Sequence, residues 1–191
     1  MKKWFAYGGI AASVILIAFG AGAIGIGVTG FNDVRDEIAA QKIVAGDDAA
    51  ELTDGRLQPG EEITTGTEAR AFADIMEHHT LDATKGKRYA EMGRFLTPEG
   101  EDTSDEALAA KTEDGRPVEN GLRNMWVTET ALTTALNTAF FAERVALFSI
   151  VMGTALLLTG VGFLVLTLGG ALGVVAVPKV ARKPHTASAA T

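Results

Sequence analysis

The stretch VALFSIVMGTALLLTGVGFLVLTLGGALGVVAVP, Val145 to Pro178, decides the fold, because none of its 34 residues carries a charge. A helix rises about 1.5 Å per residue and the hydrocarbon core takes roughly 20 apolar residues, so this run can cross a membrane with length left for tilt. A second charge-free run, Trp4 to Asn32, lies towards the other end. Two spans return the region between them to the membrane face from which it started. The chain therefore reads as an all-α membrane protein in which two transmembrane helices flank a small helical extracytoplasmic domain.

Charge is distributed accordingly. All 24 acidic residues lie between Asp33 and Glu143, against 12 basic residues from Arg35 to Arg144, a net charge of −12 in a chain whose total is −7. Outside that region there are only bases: Lys2 and Lys3 before the first run, and Lys179, Arg182 and Lys183 after the second. By the positive-inside rule both termini are cytoplasmic and residues 33–143 lie outside, which describes a multi-pass protein of the plasma membrane in contact with lipid. An acidic outer surface argues against nucleic acid, which needs a basic patch. The chain has no cysteine, so disulfides and thiolate chemistry are excluded. Four segments follow: 1–32, the N-terminal tail and first span; 33–143, the acidic outer domain; 144–178, the second span; and 179–191, a basic cytoplasmic tail.

The first run has a competitor in a cleaved secretory signal, with Ala21-Gly22-Ala23 resembling a cleavage site. Its 29 uncharged residues exceed the usual apolar region of about 7–15, and the apolar character continues to Phe31, so an uncleaved anchor is the expectation. Small residues recur four apart in it (Ala18 and Gly22, Ala21 and Gly25, Ala23 and Gly27), and again at Gly169 and Gly173. That spacing lets two membrane helices approach closely, although Gly and Ala are common in spans generally.

In the outer domain, Val34, Ile38 and Lys42 share a side, so the first helix is expected to continue to about Ile43, with Gly46-Asp47-Asp48 ending it. Turn formers at Asp54-Gly55 and Pro59-Gly60 mark a loop. Thr65-Gly66-Thr67-Glu68 has the form of a capping box, in which hydroxyl and carboxylate reciprocally bind orphan amides, and it opens a helix whose stripe is Phe72, Ile75, Met76, His79 and Ala83. Residues 98–120 are rich in charge and turn formers and read as an exposed, mobile excursion with at most two helical turns near Thr103 to Glu106. From Leu122 a single helix is expected to run through the second span to Val177, with Leu122, Met125, Trp126, Leu132, Leu136 and Phe140 on one side. No stretch alternates long enough to argue a strand, so no sheet is expected.

Three segments together resemble a family of small actinobacterial membrane proteins with two spans and an outward acidic domain: VRDEIAAQKI after the first span, IMEHHTLDATKGKRYAEM in the middle, and WVTETALTTALNTAFFAERVALFSIVMG leading into the second. Members are often named aromatic ring-opening dioxygenases. The resemblance implies the two-span architecture and carries no catalytic signature, but the name makes a checkable demand: two histidines and a carboxylate converging on a non-haem iron.

The chain's three histidines do not meet it. His185 lies in the tail, across the membrane from the others, while His78 and His79 are neighbours on one helix and point about 100° apart. Glu77, His78 and Asp82 could hold a surface metal, against the plainer reading of a solvated face. His79, at the centre of the apolar stripe, reads as a core histidine with a satisfied hydrogen bond, and as a pH switch or ligand only second. Glu143 and Arg144 at the mouth of the second span read as headgroup-level charges before they read as a pair. Ser13, Ser104, Ser149 and Ser188 lack a histidine partner, and no glycine-rich phosphate loop is present. We therefore expect no catalytic residues, no metal and no cofactor. The leading expectation is a structural or accessory protein, not an enzyme, that binds another membrane protein or itself through its glycine-rich spans and acidic domain. The alternative is an extracytoplasmic ligand-binding or sensing module that uses a cleft between the soluble helices.

Overall fold

A computed structural model of the protein describes residues 2–169. Gly173, the end of the second apolar run at Pro178, and the basic tail with Lys179, Arg182, Lys183, His185 and Ser188 lie outside the described residues. The structure is mostly helical: α1 (Lys2–Ala40), α2 (Ala49–Leu52), α3 (Gly66–Ala83) and α4 (Gly121–Leu168), with a short 3-10 turn at Tyr89–Glu91 and two minimal strands, β1 (Phe95–Leu96) and β2 (Asp102–Thr103). Both long helices are apolar enough to cross a membrane, and only 11% of the most apolar window of each is buried by the rest of the chain. Apolar faces left open to that extent call for lipid or protein against them.

Contacts divide the described chain into two compact units, one of residues up to 23 together with those from 152 onward and one of residues 24–151, so the unit holding the acidic segment reaches into both apolar runs. In the first unit the two helices meet at glycines. A Cβ on Gly20 would lie 2.6 Å from the Leu157 amide nitrogen and 2.7 Å from the Gly153 carbonyl oxygen, and one on Gly160 would lie 2.9 Å from the Ile17 nitrogen. Ser13 is fully buried there, its hydroxyl donating to the Gly9 carbonyl one turn back.

The second unit holds the core: Ile38, Ala45, Ala49, Leu57, Ile63, Ala69, Ala71, Ala73, Ile75 and Leu136 are all buried and packed together. Gly27 repeats the close approach: a Cβ there would lie 2.8 Å from the Ala146 carbonyl oxygen. Buried positions on α4 fall at Trp126, Glu129, Leu136, Glu143 and Ala146. Steps of three and seven are those of a seam between paired helices. This corrects the expected apolar side of α4, since Leu122, Met125 and Leu132 are 40–48% exposed while two glutamates are buried. A seam is set by which face meets a neighbour, and hydrophobicity alone misplaced it.

α3 begins where its capping box places it: the Glu68 amide donates to the Thr65 hydroxyl at 3.3 Å, and the Thr65 amide donates to the Glu68 carboxylate at 3.0 Å. α1 stops at Ala40, short of Ile43, because Lys42 takes a left-handed conformation (φ 52°) that a helix cannot continue through. The chain then pairs Val44 with Glu62, and the Asp48 region forms α2 rather than open loop.

The absence of a sheet is also corrected. β1 and β2 pair antiparallel, Phe95 opposite Thr103, around a turn in which Gly100 has φ 88°. The 98–120 segment is mostly exposed, yet Ala110 donates to the Leu96 carbonyl, Val118 to the Ala110 carbonyl and Asn120 to the Arg94 carbonyl. No helix forms at Thr103 to Glu106. Two-residue strands are too short for alternation to reveal them.

Candidate functional site

Beyond Phe31 the first charged residues of α1 sort by face. Val34 and Ile38 turn inward, while Asp33 and Glu37, one turn apart, stand exposed beside them. Arg35 points elsewhere, its Nε donating to Glu143 at 2.7 Å. Glu143 keeps only 5% of its side chain accessible, and the same Arg35 guanidinium lies 4.3 Å from the centre of the Phe31 ring. Gly66 fits against Glu143 because a Cβ there would come within 2.8 Å of its carboxylate and of the Phe140 Cα. The expectation that Glu143 sits free at the headgroups is therefore corrected: it pairs, but with Arg35 and not with Arg144. Arg144 donates to the Thr67 hydroxyl at 2.8 Å and lies over Phe140.

Between these elements lies a cleft of 930 Å³. Its walls come from Val34, Ile38 and Ile43, from Phe72 and Met76 on α3, and from Leu132, Ala135, Leu136, Ala139 and Ala142 on α4. The space exists because α4 presents alanines at 135, 139 and 142, a spacing of four and three that keeps small side chains on one face. Its polar rim is Asp33, Glu37, Gln41 and Thr138, two carboxylates and no base. A volume near the top of the roughly 300–1,000 Å³ typical of small-molecule sites, walled by apolar side chains, suits an apolar or amphipathic occupant.

The sequence-predicted site residues are dispersed. His79 is not in the core: its side chain is 54% exposed and its Nε2 lies 2.6 Å from the Asp48 carboxylate. Phe72 and Met76, its neighbours on the expected stripe, face the cleft, and Ala83 is exposed. What α3 buries instead is a set of small residues, Gly66, Ala69, Ala71 and Ala73, with Ile75 and Thr80. The hydrogen bond from His79 holds the Asp48 carboxyl below its ordinary value. Glu77, His78 and Asp82 do not converge as a trio: Glu77 binds Arg88 at 2.9 Å, while His78 pairs with Asp82 at 3.3 Å. Among the described residues no group of three or more His, Asp or Glu side chains is placed to hold a metal. Ser13 and Ser149 donate to the carbonyl one turn back on their own helices.

The ligand-binding alternative expected a cleft between the outer helices, but the sequence named neither its lining nor its acidic rim. Its one legible signal was the Val34/Ile38 pair opposite the alanine spacing of α4, and neither says that the facing helices stand apart. No protein family, no curated protein and no solved structure matches this chain.

Proposed function

We propose that the protein is a membrane-anchored, extracytoplasmic binding module whose cleft takes an apolar or amphipathic molecule. The observation carrying this is the cleft itself, 930 Å³ walled by three helices just where α1 and α4 leave their charge-free runs. The topology belongs to the proposal: residues 33–143 outside, both termini cytoplasmic and two spans in the plasma membrane, supported by the bases at both ends and the acidic middle. So does the resemblance to the actinobacterial two-span family, which rests on its three sequence segments and adds no reaction.

The test is native mass spectrometry after extraction into lipid nanodiscs. A small molecule retained by the protein, and lost when Ala135→Trp fills the cleft, is the expected result. An empty protein in both forms would overturn the reading.

A second reading, that of an accessory protein bound laterally to another membrane protein, is favoured by Gly22 and Gly25, where an added Cβ would meet nothing within 4 Å. Gly20, Gly27 and Gly160 are already used within the chain, which weakens glycine content as an argument for an outside partner. Capture of a stoichiometric membrane protein in mild detergent, abolished by Gly22→Leu, would support it.

A further inference from the structure

We infer that the cleft selects an amphipathic cation, a molecule with an ammonium head and an apolar body; this rests on the cleft-binding reading above. The argument is charge complementarity. Every ionisable group lining the cleft is acidic, Asp33 and Glu37 on adjacent turns of α1. Among the described residues neither carboxylate has an ion-pair or hydrogen-bond partner, and several bases of this domain are taken by other carboxylates: Arg35 by Glu143, Arg56 by Asp74, Lys87 by Asp102, Arg88 by Glu77. Arg35, the nearest base in sequence to both, is taken by Glu143. Two unanswered carboxylates at one edge of an apolar wall repel an anionic headgroup and attract a cation, and the low-dielectric wall beside them strengthens that preference. Phe72, Met76 and Leu136 then receive the apolar part. An acyl chain ending in phosphate or carboxylate would place its charge against Asp33 and Glu37, which disfavours it.

The experiment uses the full-length protein in zwitterionic nanodiscs and three photoreactive alkyl-diazirine probes of one chain length, ending in trimethylammonium, hydroxyl or carboxylate. Labelled residues are mapped by peptide mass spectrometry. The ammonium probe is expected to label Phe72, Met76 or Leu132 about ten-fold more than the carboxylate probe. In the double variant Asp33→Asn/Glu37→Gln its labelling should fall to the hydroxyl level. Both side chains lack intramolecular partners, so the variant keeps its fold, which amide exchange over α3 confirms. Equal labelling by ammonium and hydroxyl probes, unchanged in the variant, overturns the cation selectivity and leaves the cleft reading standing. Failure of all three probes to label the cleft overturns both.

Discussion

A carboxylate as enclosed as Glu143 has to be answered by a cation, and Arg35 does so from the other long helix. Removing the arginine strands a buried charge, so Arg35→Met is expected to cost about 2–3 kcal/mol, at or below the usual 3–5 for such a break because Arg35 is itself 42% exposed. The double variant Arg35→Met/Glu143→Leu should recover most of that loss in urea unfolding in detergent; no recovery would show that the two are not coupled. Asp48 and His79 give the opposite case, a pair at the surface. Since the native carboxyl titrates below its ordinary 3.8, the interaction stabilises the fold above that pH and fades as pH falls through the lowered native value. Carbon-13 NMR should find the Asp48 midpoint below 3.8, and raised in His79→Leu relative to the native protein. Identical midpoints would refute the link. His79 was misplaced from sequence because periodicity assigns a residue to a face of its helix and cannot say whether anything covers that face.

At the scale of elements, what the sequence made legible was local. The capping box at Thr65 needs only four neighbouring residues, and it was read correctly. Burial raises the Glu68 carboxyl, but the amides of Thr64 and Thr65 outweigh it and leave the group lowered. Thr65→Ala should therefore cost about 1 kcal/mol of thermal stability near neutral pH. What needed a partner in space was not legible: the seam of α4, the β1–β2 pair and the side chains that line the cleft. Glycines divide in the same way. Gly20 and Gly22 are two residues apart in one apolar run and look alike in sequence, yet Gly20 lies against the backbone of α4 while Gly22 faces open space. Backbone cannot yield as a side chain can, so Gly20→Val should lower the thermal midpoint in detergent by several degrees and Gly22→Val should leave it nearly unchanged. Equal effects would mean that the helices are not in contact at Gly20.

For the whole molecule the outstanding claim is direction. Two helices long enough to cross, joined by a segment with every acidic residue of the chain, would leave that segment on one side whichever way the first helix inserts. The proposed side rests on the bases at both ends, two before the first run and three after the second, because bases close to a span tend to be retained in the cytoplasm. Asp114 suits a test: it sits in an exposed turn with 77% of its side chain accessible, and the chain has no native cysteine to give background. Asp114→Cys in intact cells should react with a membrane-impermeant maleimide, and Ser188→Cys should react only after lysis. The reverse pattern would invert the topology, and with it the proposal that the cleft draws its occupant from outside. Intact-mass measurement on the same samples settles the first run. A mature protein lacking Met1 to about Ala23 would have lost Gly9, Ser13 and Gly20, the contacts through which α1 meets α4 in the first unit, and would be held by one span alone. Retention of the full N-terminus is the expected result, because those glycines are spaced to meet α4 and a discarded leader has no use for such a fit.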